Sequence, residues 1–184
     1  MKYGLKTSWT QTRTQLGIET HAQKSNDFAS WLIANGNQPG FNSRMNCWEA
    51  VLFSAFRAGL VSKLWLQTVH RKAAQAYEMH DRAGSQRTSP ASAHYFRALS
   101  HVFNFFSSVP FDPRAGFIPQ PGDILFWHCD KHVAISLGRT WADGVPEDRI
   151  LSLWLHAGGR FAQLTVGEMP KWMMNDIRFV PCPF

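Results

Sequence analysis

The chain has little cysteine, little charge and no long apolar run. Only Cys47, Cys129 and Cys182 occur in its 184 residues. So small and odd a number excludes a scaffold built on disulfides, leaving room for a single bridge. No stretch approaches eighteen apolar residues, so no transmembrane helix is expected. The opening MKYGLKTSWTQTRTQLG lacks an apolar h-region. The expectation is a chain cytoplasmic as made, which, if exported, leaves by a route that needs no cleaved signal. Internal repeats, Lys/Arg runs, zinc-finger spacings and RNA-binding aromatic signatures are absent as well. The net charge is +6, but its carriers are scattered: Lys2, Lys6, Arg13, Lys24, Arg44, Arg57, Lys63. That pattern argues for a solvated basic surface and against a nucleic-acid partner. It still favours anionic polymers such as the bacterial cell wall.

What the chain does have is apolar mass. Apolar residues make up 45% against 17% charged, with eight Trp and fourteen Phe, enough for a globular core. The length fits one domain, residues 1–184: an N-terminal extension with one helix over 1–40, then a core over 41–184.

Periodicity divides that core in two. Phe28, Trp31, Leu32 and Ile33 predict a helix over Ser25–Ala34, stopped by Asn35-Gly36-Asn37-Gln38-Pro39-Gly40. Trp48, Val51, Leu52, Ala55 and Phe56 predict a second helix starting at Cys47, with Gly59 near its end. Further helices are expected over Ser62–Arg82 and Ala91–Ser107. After Pro121 the texture turns to β formers: Asp123–His128, His132–Leu137, Ile150–His156, Phe161–Val166 and Asp176–Val180. Arg139–Arg149 reads as a long loop and Ala157–Arg160 as a hairpin turn. Helices first and an antiparallel sheet second is an α+β layout.

Chemistry concentrates where these halves meet. Cys47 heads an amphipathic helix, where unpaired backbone N–H groups and the helix dipole favour a thiolate and can bind an oxyanion. His132 opens a strand and is the candidate base. A third group should orient its imidazole; His156 is best placed, with Asp143 and Ser152 as weaker substitutes. Glu49, in the first helical turn, suits the dipole and would raise the thiol pKa if it faced Cys47, so it receives no catalytic role. His128, Cys129 and His132 form H-C-x-x-H, but neighbouring strand residues face opposite sides and no second ligand pair exists. No metal is therefore assigned. Cys129 and Cys182 read as structural thiols, Trp127, Trp154 and Trp172 as core, and Asp123 as fixing a turn.

Two segments carry a resemblance. Pro121-Gly122-Asp123-Ile124-Leu125-Phe126-Trp127, followed by His132-Val133-Ala134-Ile135-Ser136-Leu137-Gly138, resembles the paired strands of NlpC-type cell-wall cysteine peptidases and their CHAP relatives. Leu155-His156-Ala157 is similar to the segment holding that family's third polar residue. The resemblance spans about Gly40 to Val180. The chain departs from it at Trp48-Glu49, where members carry small residues, and in the long helical stretch after Cys47. It implies a papain-like fold, a Cys47–His132–His156 centre without cofactor, and cleavage of amide bonds in peptidoglycan stem peptides. With no signal and no wall-binding repeat, the expected setting is a secreted antibacterial toxin effector, with an immunity or delivery protein as partner. The alternatives are a protein deamidase, a transglutaminase-like enzyme or an acyltransferase on the same fold, or a catalytically idle binding domain.

Overall fold

The computed structural model describes residues 19–35, 46–82, 95, 98–99, 107–127, 132–154, 160–169 and 174–184. Three helices come first: α1 (Glu19–Asn35), α2 (Cys47–Arg57) and α3 (Lys63–Arg82). Six strands follow: β1 (Val109–Pro110), β2 (Ile124–Trp127), β3 (His132–Ala142), β4 (Val145–Trp154), β5 (Arg160–Thr165) and β6 (Ile177–Val180). They form one antiparallel sheet in the order β1-β6-β2-β3-β4-β5. The fold is thus α+β, with three N-terminal helices packed against a six-stranded antiparallel sheet. Most of the predicted helix over Ala91–Ser107 lies outside the described residues, as do His128, Cys129, His156 and Trp172.

Helix α2 has both ends built in. Its N-cap, Asn46, accepts the Glu49 N–H at 2.9 Å, and the Glu49 carboxylate accepts the Asn46 N–H at 2.8 Å. This reciprocal capping box satisfies donors that a helix start otherwise leaves open. At the other end Gly59 takes φ 76°. Its N–H reaches Phe56 O and the Leu60 N–H reaches Ala55 O, the paired bonds of a Schellman stop.

Both faces of the sheet are covered. On the helix face, Ile124, Phe126, Val133, Ile135, Leu151 and Leu153 pack with Trp48, Val51, Leu52 and Ala55 of α2. On the far face, Leu125, Trp127, Ala134 and Ile150 pack with Val166, Met169, Ile177 and Phe179. Two-sided burial explains why β2 reads as a continuous apolar run rather than an alternating one.

One expectation is overturned. Arg139–Arg149, read as a loop, is a β-hairpin. β3 runs on to Ala142, β4 starts at Val145, and their register includes Arg139 opposite Asp148. The turn is Asp143-Gly144 with both φ positive, 51° and 78°, as the type I′ geometry requires. Arg139 clamps Asp148 with both arms of its guanidinium, at 2.9 and 2.6 Å. β1, which pairs with β6, was also not anticipated; its two residues are too few for an alternation to show.

Candidate active site

The site is set by where β2, β3 and β4 meet, and a turn fixes that junction. Before β2, Gly122 adopts φ 85°, and Asp123 accepts the Gln120 N–H at 2.8 Å, the turn-fixing role expected of it. The Gly122 N–H reaches Ser136 O, and the Ser136 N–H reaches Asp123 O, both at 2.8 Å. Just beyond, Gly138 sits in a bulge with φ 87°, and a Cβ there would stand 2.8 Å from Pro121 Cγ. The Pro-Gly-Asp and terminal Gly of the two segments thus lock against each other.

This lock decides which way β3 points its donors. Since the Ser136 N–H turns to the β2 side, strand alternation aims the Val133 N–H at the β4 side. The register with β4 begins one residue on, at Ala134 opposite Ser152. The Val133 N–H is thus left free to act on the Cys47 sulfur, and with the N–H groups of Trp48 and of Cys47 itself it pulls the thiol pKa down. The first side chain of α2 lies toward β3, where backbone N–H groups favour the charged form of the sulfur.

His132, by contrast, turns to the face of the sheet opposite α2, so the strand brings its backbone, not the His132 ring, toward Cys47. It is buried, it shares the far face with Ala134 by alternation, and its ring lies 5.3 Å from that of Trp127. Its Nε2 is 2.6 Å from Ser152 Oγ on β4, and Ser152 is fully buried. Among the described residues the group that orients the imidazole is therefore Ser152, ranked below His156 from sequence. Asp143, the other substitute, stands at the exposed hairpin tip. The signal for Ser152 was present: in Leu151-Ser152-Leu153 a lone hydroxyl faces away from the two leucines.

Burial sets the resting protonation. Desolvation pushes the Cys47 thiol up to about 11, against the three N–H groups that pull it down, with a further small push from the Glu49 charge. Desolvation also pulls the His132 imidazole down to about 4. At neutral pH both groups rest uncharged, so the thiolate–imidazolium pair often drawn for such sites is not the resting state here. Among the described residues no cluster of His, Cys, Asp or Glu is placed to hold a metal ion. No helix there is long and apolar enough to cross a membrane.

Comparison of the chain with models of known protein families, with curated proteins and with solved structures finds no match.

Proposed function

We propose that the chain is a cysteine hydrolase that cleaves amide bonds, with Cys47 as nucleophile and His132 as base. The observation that carries this reading is the thiol at the first position of α2, where backbone N–H groups of Val133, Trp48 and Cys47 favour its charged form; a buried imidazole bonded to the Ser152 hydroxyl stands on the strand that supplies the Val133 N–H. If His132 Nε2–H donates to Ser152 Oγ, Nδ1 is the ring's proton acceptor. Because both groups rest neutral, the thiol gives up its proton to His132 as the sulfur attacks the carbonyl carbon. The negative charge moves to the carbonyl oxygen, where N–H groups at the helix start stabilise it. The C–N bond breaks as His132 protonates the leaving amine, leaving a thioester on Cys47. Water, deprotonated by His132, attacks that thioester and frees the acid and the thiol.

For substrate we favour peptidoglycan stem peptides. The resemblance of the two strand segments to NlpC-type peptidases points there, and the net charge of +6 suits an anionic polymer. An exported antibacterial effector is the setting this substrate suggests. Purified protein should release soluble fragments from bacterial sacculi, and Cys47→Ala should release none. Equal release by both, or none by the wild type from several wall chemistries, would overturn the wall reading. The second outcome would turn attention to protein-modifying acyl transfer.

A further inference from the structure

A capping box needs only its cap and its third residue, yet the Glu49 carboxylate is held by more. One oxygen accepts the Asn46 N–H at 2.8 Å, and the other accepts the Tyr95 hydroxyl at 3.0 Å from 46 residues away. Tyr95 is itself buried, and its hydroxyl stands 2.7 Å from His70 Nδ1 on α3, ring edge against ring face. The proton order in this chain follows from valence. A carboxylate only accepts, so the single phenolic proton points to Glu49, and His70 must donate from Nδ1. Three separate segments thus converge on one carboxylate two residues from the nucleophile.

We propose that Glu49 and Tyr95, backed by His70, are positioning residues for Cys47: the carboxylate fixes the helix start, and the phenol draws its charge away from the sulfur. The proposal rests on Cys47 being the reactive group. An uncompensated carboxylate in the first turn would oppose the thiolate that the N–H groups of Val133, Trp48 and Cys47 favour. A glutamate is still the better cap here, because its carboxylate accepts from Asn46 and Tyr95 at once. The phenol spreads that charge over a second donor, which reconciles the cap with the chemistry. The titratable group acting on the sulfur is Glu49 on its own helix, with Tyr95 and His70 behind it; His132 on β3 faces the other side of the sheet.

The test needs no substrate. Iodoacetamide labelling of Cys47 in the full chain, followed by mass mapping, reads the thiolate fraction. At about pH 8 that fraction changes about threefold for each half-unit move in the thiol midpoint. Glu49→Gln keeps an oxygen for the Asn46 N–H but removes the charge, so labelling should speed up about threefold. Tyr95→Phe leaves the charge less compensated, so labelling should slow by about as much. The double variant should match Glu49→Gln, since without the charge the phenol has nothing to offset. A merely structural network predicts otherwise: both single variants would loosen the helix start and move the rate the same way. Same-direction shifts, or an unchanged rate in Glu49→Gln, overturn the proposal. The Glu49→Gln arm decides alone should Tyr95→Phe fail to fold. Opposed shifts in a protein that cleaves no wall would leave the positioning role standing and remove the hydrolase reading. Same-direction shifts in a protein that does cleave would do the reverse.

Discussion

An imidazole that stays neutral down to about pH 4 in the folded chain, but protonates near 6.5 when free, links the site to stability. Between those values the unfolded chain binds the proton more readily, so stability falls as pH drops from 6.5 to 4. The shift corresponds to something on the order of 3 kcal/mol. In urea melts at the two pH values, the wild type should lose that much more than His132→Gln; equal losses would mean the ring is not desolvated as described. Ser152 acts at the same ring. Ser152→Ala removes the oxygen beside Nε2 and should lower kcat about tenfold, equivalent to about 1.4 kcal/mol, with KM little changed. A fall in KM-linked binding with kcat intact would assign Ser152 to substrate rather than to the imidazole.

At the scale of elements, the two strand segments are held by a glycine that tolerates no substitute. Gly138 combines φ 87° with a Cβ position 2.8 Å from Pro121, so Gly138→Ala meets both backbone strain and a clash. It should cost about 2 kcal/mol, roughly 4–8 °C in Tm; an unchanged melting temperature would show that the Pro121 turn yields freely. Helix α2 was legible in the sequence because its apolar spacing and its Gly59 stop point to the same segment. The hairpin through Asp143-Gly144 was not. Its strands carry Arg139, Thr140, Glu147 and Asp148, a polar ladder with no apolar alternation, so only the Asp-Gly pair marked the turn. Periodicity detects burial, and this ribbon stands largely in solvent. The Asn46-x-x-Glu49 box was present in the same way, but reading Glu49 only against the helix dipole missed its bond to the cap.

Across the whole molecule, the order of a Cys-bearing helix before a His-bearing strand was readable, and so was the α+β class. Their meeting point was not, because it depends on which side β3 turns its N–H groups. That is fixed by the Gly122–Ser136 and Ser136–Asp123 bonds and has no one-dimensional signature. For Ser152 the alternation with Leu151 and Leu153 was readable, but its bond to a ring 20 residues away was not. The proposed function stands or falls on Cys47 being an acyl-accepting nucleophile that depends on His132. The most direct measurement uses a small activated acyl ester with intact-mass and peptide mapping, so that no knowledge of the natural substrate is needed. A burst of leaving group and a single acyl group on Cys47 are expected, both lost in Cys47→Ala and strongly slowed in His132→Ala. Acylation of Cys182 instead, or a burst undiminished in His132→Ala, would contradict the proposed function.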